Sequence, residues 1–159
     1  MTFEVQAHDR LTRRRVLALA AGAAGSVIVT PAALAQGDEL ASVVTAYVQG
    51  APVKAGRIKI AIEKLVDNGN TVPVTVTVDS PMTAADHVTG IAIFNEKNPQ
   101  RDVVRIKLGP ASGKAVVSTR IRLATSQKLV AVARMSDGTA WTDTVDVVVV
   151  LAACIEGDP

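Results

Sequence analysis

Val72-Pro73-Val74-Thr75-Val76-Thr77-Val78 places valine at every second position of the chain. Because successive side chains of a strand point to opposite faces, this period of two predicts a strand with one face in a core. Pro73 has no backbone N–H to donate, so we expect the strand to begin there or to lie at a sheet edge. The stretch therefore favours a β-rich fold.

Six further segments are predicted as strands, and short connections rich in glycine, proline, asparagine and aspartate separate them. The connections include residues 67–70 and the hairpin-like turn at 136–138. The predicted strands are residues 58–62, 90–94, 103–108, 117–123, 128–135 and 139–151. No helical period lies between them, so we predict an all-β chain forming an antiparallel, immunoglobulin-like β-sandwich of about seven strands without a disulfide.

A single short helix is predicted ahead of the strands, over residues 38–49. Asp38 and Glu39 favour its start because they complement the helix dipole, and Gly50 with Pro52 ends it. Its apolar residues recur at the spacing of one helix face, namely Leu40, Val43, Val44, Tyr47 and Val48.

The first 35 residues have the three parts of an export signal in the expected order. Thr12-Arg13-Arg14-Arg15-Val16-Leu17 resembles the twin-arginine motif, and an apolar stretch over residues 16–29 follows it. That stretch is shorter than the ~20 residues of a membrane-spanning helix. Ala33-Leu34-Ala35 resembles a cleavage site, which predicts a signal at 1–35, a mature domain at 36–159 and a periplasmic location. The alternative is an internal, alanine-rich helix with a basic start.

Charge argues against nucleic acid and anionic membrane as partners. The predicted signal contains four of the 17 basic and two of the 15 acidic residues, so the mature chain holds 13 of each. Binding to polyanions needs clustered lysine and arginine. We therefore expect other proteins or small solutes as partners.

The usual catalytic and metal-binding patterns are missing from the mature sequence. Its single histidine, His87, has no companions at zinc-ligand spacing, so we expect no metal and no cofactor. His87 could pair with Cys154 in three dimensions, although a surface loop histidine is the better interpretation. Asp143 and Asp146 are interpreted as solvated carboxylates, and Phe94 and Trp141 as core or interface residues.

Cys154 is the only cysteine, and it stands five residues from the end of the chain. In an oxidising compartment it cannot form an internal disulfide. Two interpretations stay open on position alone: a reactive thiol tethered to a rigid strand, or a small buried hydrophobe. A thiol redox protein is disfavoured because no second cysteine could resolve a mixed disulfide.

Several long blocks of the mature sequence follow one another in a recognisable order. They are Asn68-Gly69-Asn70-Thr71-Val72-Pro73-Val74-Thr75-Val76, Asp79-Ser80-Pro81-Met82, Ile93-Phe94-Asn95-Glu96-Lys97-Asn98-Pro99, Val117-Ser118-Thr119-Arg120-Ile121-Arg122-Leu123-Ala124, Ser126-Gln127 and Val130-Ala131-Val132-Ala133-Arg134-Met135-Ser136-Asp137-Gly138. Together they resemble the SoxY family of thiosulfate-oxidation (Sox) sulfur carrier proteins. The resemblance implies a carrier subunit rather than an enzyme, with sulfur held covalently on Cys154. It also implies a heterodimer with a SoxZ-like subunit. The transient partners that it implies are a c-type cytochrome, a sulfate hydrolase and, in many systems, a sulfane dehydrogenase.

The tail departs from the Gly-Gly-Cys-Gly-Gly sequence that is typical of this family. Here Ala152, Ala153 and Ile155 surround Cys154, so we expect a stiffer arm over about residues 150–159. Four residues separate Val150 from Cys154, which allows an extension of roughly 13 Å. The partner subunit is expected to use a sheet face or edge together with the N-terminal helix, with strands 72–78 and 145–151 as candidate edges.

Overall fold

A computed structural model describes residues 38–153 of the 159-residue chain. The predicted signal at 1–35 and the residues 154–159 lie outside the described part. One α-helix precedes nine strands. They are α1 (Asp38–Val48), β1 (Val53–Ala55), β2 (Ile58–Ala61), β3 (Leu65–Asn68), β4 (Val72–Val78), β5 (Val88–Asn95), β6 (Asp102–Lys107), β7 (Val116–Ile121), β8 (Gln127–Met135) and β9 (Ala140–Leu151).

In the larger sheet, β9, β8, β5 and β6 pair antiparallel, and two short strands pair parallel to β9. Its order is β1-β9-β8-β5-β6, and β3 pairs with β9 beside this path. Strand β1 runs parallel to the first part of β9, from Ala140 to Thr142. Strand β3 runs parallel to its last part, with Leu65 opposite Val148 and Asn68 opposite Leu151. The last strand therefore has two neighbours from Ala140 to Thr142, β8 alone as far as Val147, and β3 alone from Val148 onward.

The smaller sheet has the order β2-β4-β7, so β4 is its central strand. The expectation that residues 72–78 form a free edge is therefore wrong, because β2 and β7 flank β4. The same expectation for residues 145–151 is not contradicted, because they pair with β8 only as far as Val147 and with β3 only from Val148. Pro73 pairs with Arg120 of β7, while β2 ends at Ala61, opposite Thr75. The proline thus lies where β4 has a strand neighbour on one side only, as its missing N–H requires.

The two sheets enclose a core made of their alternating apolar residues. The valines of β4 are buried, with Val76 fully so, while the intervening Pro73 and Thr77 are exposed. Ile91 and Ile93 of β5 and Leu129 of β8 face them from the larger sheet. Burying this apolar area supplies the main favourable term in the stability of the sandwich.

Helix α1 covers the outer face of the larger sheet. Its apolar face packs on Ala92, Phe94 and Val132, and Tyr47 meets Phe94 edge to face with ring centroids 5.6 Å apart. Strands β5 and β8 are thereby buried on both faces, which explains why their sequences are almost continuously apolar rather than alternating.

The fold class and the helix agree with the sequence prediction, and each of the seven predicted strands is present. Two strands, β1 and β3, are additional, and their parallel pairing with β9 departs from a purely antiparallel arrangement. Among residues 38–153, no helix is long and apolar enough to cross a membrane.

Candidate functional site

The described chain stops one residue before the candidate sulfur-bearing residue. Cys154 and Ile155 lie outside the described residues, as do the signal residues Arg13, Arg14, Ala33 and Ala35. The candidate site is therefore the part of the sandwich from which Cys154 departs. We call this part the arm root and define it as residues 68–70, 122–124 and 151–153.

The arm root holds the chain beyond the end of β9. Strand β9 ends at Leu151, and Ala152 is exposed, but Ala153 is buried with only 7% of its surface accessible. The Ala153 backbone N–H donates to the Leu123 carbonyl oxygen, with nitrogen and oxygen 3.1 Å apart. The chain is therefore held by the sandwich as far as Ala153, beyond residue 150, where the sequence suggests that the arm begins.

Gly69 completes this arrangement from the turn that follows β3. Its N–H donates to the Leu151 carbonyl at 2.8 Å, and its carbonyl accepts from the Leu123 N–H at 2.9 Å. The turn is closed locally, because the Asn70 N–H donates to the side-chain oxygen of Asn68 at 2.9 Å. Gly69 thus joins the last residue of β9 to the Leu123 segment that accepts from Ala153.

Leu123 is itself fixed, since it is fully buried and its neighbours are held by a side-chain network. The Asn98 amide donates to the Arg122 carbonyl at 2.9 Å. The Asn98 side-chain oxygen accepts from the Ala124 N–H at 3.0 Å and from the Gln127 amide at 2.7 Å. Asn98 therefore bonds to residues on both sides of Leu123.

A second contact ties the end of β9 to the same loop. The Ser126 hydroxyl oxygen accepts a hydrogen bond from the Val149 N–H at 2.9 Å. Gln127, which is 4% exposed, accepts from the Lys97 N–H at 2.9 Å through its side-chain oxygen. The loop that follows residues 122–124 is therefore bonded to β9 through Ser126 and to the β5–β6 connection through Gln127.

Blocks that carried the family resemblance meet at the arm root. The blocks containing Gly69, Asn98, Leu123 and Gln127 are far apart in sequence, and each contributes a hydrogen bond described above. Sequence reasoning named these blocks but assigned none of their residues to the site. The signal available in the sequence was the presence of Gly69, Asn98 and Gln127 in these blocks.

His87 lies at the other end of the larger sheet. It directly precedes Val88, which pairs with Met135, whereas Asn95 at the far end of β5 pairs with Leu129 near the arm root. Eight residues of β5 separate the two ends, or roughly 24 Å. His87 is held there by Thr83 and Ser136, since its Nδ1 is 3.0 Å from the Thr83 carbonyl oxygen and its N–H donates to the Ser136 hydroxyl. This distance disfavours the Cys154–His87 pair.

The two aspartates of β9 differ in their surroundings. Asp146 is exposed, in agreement with its interpretation as a solvated carboxylate. Asp143 departs from that interpretation, because its Oδ2 accepts from the Ile60 N–H in the other sheet at 2.8 Å. Phe94 is fully buried and Trp141 packs partly buried against the core, as expected.

Metal ligands do not cluster in the part of the chain that the structure describes. Between residues 38 and 153, no three His, Cys, Asp or Glu side chains come together as a metal would require. The arm root itself offers backbone hydrogen bonds and packing, so what it can do is hold the chain at a fixed point.

Comparison with known families places the sequence beside one of them. A family model described as "Sulfur oxidation protein SoxY" matches residues 44–154, so the match extends through the single cysteine. A comparison with curated proteins finds no match.

Solved structures with the same fold include a sulfur carrier and several reductases. The sulfur carrier protein SoxY from Chlorobium limicola f thiosulfatophilum is 28% identical at a TM-score of 0.60, and the match covers 71% of this chain and 97% of that one. A superoxide reductase (neelaredoxin) from Ignicoccus hospitalis is 21% identical at a TM-score of 0.53, with 59% and 80% covered. The superoxide reductase from Nanoarchaeum equitans is 15% identical at 0.52, with 61% and 99% covered. The likeness to the reductases shows the shared fold alone.

Proposed function

This chain belongs to the SoxY family of sulfur oxidation proteins, and on that premise we propose that it carries sulfur intermediates covalently on Cys154. Family membership supports the sulfur carrier role. The observation that carries the finer proposal is that the family match ends at Cys154, the only thiol in the chain. The buried Ala153 and the arm root support it, since they give that thiol a defined point of departure.

Partner enzymes catalyse the reactions at Cys154. Oxidative coupling of the thiol to thiosulfate forms a sulfur–sulfur bond and releases one proton and two electrons, which a c-type cytochrome accepts. Water then cleaves the terminal sulfone as sulfate and leaves one sulfur atom on the cysteine, a reaction for a sulfate hydrolase. A sulfane dehydrogenase would oxidise that remaining sulfur to a sulfonate with oxygen from three water molecules, passing six electrons to a c-type cytochrome and releasing seven protons. A second hydrolysis would then release sulfate and restore the Cys154 thiol. The carrier is thus the substrate of each step and not its catalyst.

We place this chemistry in the periplasm, after export by the twin-arginine route. Support comes from Arg13 and Arg14, the apolar stretch at 16–29 and the Ala33-Leu34-Ala35 site. Removal of residues 1–35 leaves the mature domain at 36–159.

A SoxZ-like subunit is the proposed stable partner. An apolar strip on the outside of the sandwich supports a protein contact. Leu65 is opposite Val148 in the parallel pair β3–β9, and Val150 follows on the same face of β9. These three side chains are 54–62% exposed, with the exposed Asp67 and Asp146 on the same strands. Apolar patches with a polar rim mark protein interaction sites.

The intact mass of the mature protein tests the carrier proposal. Incubation with thiosulfate and an oxidising c-type cytochrome is expected to replace the thiol hydrogen by one thiosulfate group, a net gain of S2O3 in the neutral protein, and a reductant should remove it. Cys154→Ala is the matched control and should remain unmodified.

The competing interpretation is a non-covalent interaction module with a buried, inert cysteine. It predicts a thiol that alkylates only after denaturation, so an unreactive thiol in the native protein would overturn the carrier proposal.

A further inference from the structure

We propose that Gly69 is a positioning residue that locks the chain at Ala153, so that Cys154 directly follows a fixed residue. This inference rests on the proposed carrier function and specifies how that function is delivered. It differs from a long flexible arm, because the body of the sandwich then sets where the thiol can go.

Glycine at position 69 is required by space. Gly69 is buried, and a Cβ added to it would overlap the Leu123 carbonyl oxygen. The same Cβ would lie 3.0 Å from the Ala153 nitrogen and 3.1 Å from Cγ1 of Val149. Two of these three neighbours are the acceptor and the donor of the Ala153–Leu123 hydrogen bond. A side chain at 69 would therefore push directly on the bond that holds Ala153.

The backbone conformation of Gly69 is not the reason for the glycine. Gly50, Gly56, Gly113 and Gly138 have a positive φ, and Gly69 does not belong to that group. An alanine at 69 would therefore avoid the strain of a left-handed backbone, and its added Cβ would act through the contacts described above. This separates its effect from the usual cost of replacing a turn glycine.

The lock shortens the reach of the thiol. A cysteine that follows a fixed residue places its sulfur no farther than roughly 7 Å from the Cα of that residue. If the chain were free from Val150, the corresponding reach would be roughly 13 Å to the Cα of Cys154 alone. An enzyme that takes up the thiol must therefore approach the sandwich at the arm root itself.

Spin labelling of the single cysteine tests the lock on the full-length mature protein. A nitroxide on Cys154 is expected to give a restricted electron paramagnetic resonance spectrum in the wild type. Gly69→Ala should shift it to a mobile spectrum. Ala153→Pro should do the same, because it removes the donor to Leu123, and the Gly69 hydrogen bonds to Leu151 and Leu123 do not use that N–H. The Ala153→Pro protein thus remains informative if Gly69→Ala does not fold.

Gly109→Ala is the matched control, since Gly109 is extended at φ −156° and a Cβ there meets nothing within 4 Å. It should leave the spectrum unchanged. Amide hydrogen exchange adds a second measurement: the Ala153 N–H should be protected in the wild type and exchange roughly tenfold faster in Gly69→Ala.

Equal label mobility in the wild type and Ala153→Pro, or an unprotected Ala153 amide in the wild type, would overturn the lock. Neither result bears on whether Cys154 accepts sulfur, which the intact-mass experiment decides separately. A locked Ala153 with a cysteine that never gains mass would instead overturn the carrier function and leave the lock standing.

Discussion

Asp143 of β9 accepts a hydrogen bond from the backbone N–H of Ile60 in β2, with Oδ2 and nitrogen 2.8 Å apart. The bond joins the two sheets, because β9 belongs to the larger sheet and β2 to the smaller one. It also gives the Ile60 N–H of β2 an acceptor in the other sheet. Its aspartate therefore has a structural role in the sandwich.

Replacing Asp143 by alanine should lower the free energy of unfolding by about 1–3 kcal/mol, because the Ile60 N–H loses its acceptor in a partly buried position. Urea denaturation of the mature domain measures this. Asp146→Ala removes an exposed carboxylate from the same strand and should change stability far less. Equal effects of the two substitutions would contradict a sheet-joining role.

Asn98→Ala should loosen the loop that supports Leu123. The substitution removes the donor to the Arg122 carbonyl and the acceptor for Ala124 and Gln127. We expect a loss of about 1–3 kcal/mol in unfolding free energy, together with faster hydrogen exchange at the Ala124 amide. Lys97→Ala, at an exposed neighbouring side chain, provides the comparison. Unchanged exchange at Ala124 would show that Asn98 does not hold the loop.

Tyr47 should titrate above the ordinary phenol value of 10.0. Burial against Phe94 raises its pKa, and the nearby Arg134 and Arg105 oppose this only in part. Since it is the only tyrosine in the chain, its ultraviolet absorbance reports this one group directly. Arg134→Gln should raise the pKa further, and a wild-type value at or below 10.0 would contradict the assignment.

The same shift makes a prediction about stability at alkaline pH. A pKa that is higher in the folded protein means that the folded state binds the proton more tightly. The stabilisation from the protonated Tyr47 is therefore fully present below the unfolded pKa and is lost as pH rises through the folded one. Tyr47→Phe should lack this part of the decline, which stability curves measured on both sides of pH 10.0 would reveal.

Replacing Arg13 and Arg14 together by lysine should block export. The twin-arginine pair is the recognised part of such a signal, so the precursor with residues 1–35 should accumulate inside the cell. Fractionation with detection of the processed and unprocessed forms measures this. Arg10→Lys lies outside the motif and should leave processing intact. Normal periplasmic yield from the double lysine variant would argue against this route.

The strong patterns of the sequence predicted most of the architecture. Alternating valines placed β4, and the helical spacing from Leu40 to Val48 placed α1, because side-chain period is a local property of each backbone conformation. Strands β1 and β3 escaped prediction because neither has the repeated apolar alternation that revealed the equally short β2. They are strands because β9 lies beside them.

The candidate site, like the fold, was predictable from the sequence only in part. From the sequence alone came a single cysteine after a valine-rich strand, the family resemblance and the absence of catalytic companions. The sequence also marked residues 67–70 as a turn. Only the tertiary structure decided that Gly69 of this turn meets Leu123 and Ala153, and hence that the chain is held up to the residue before Cys154. A backbone donor at the end of a strand bonds to whichever segment the fold brings to it, and no local pattern encodes that partner.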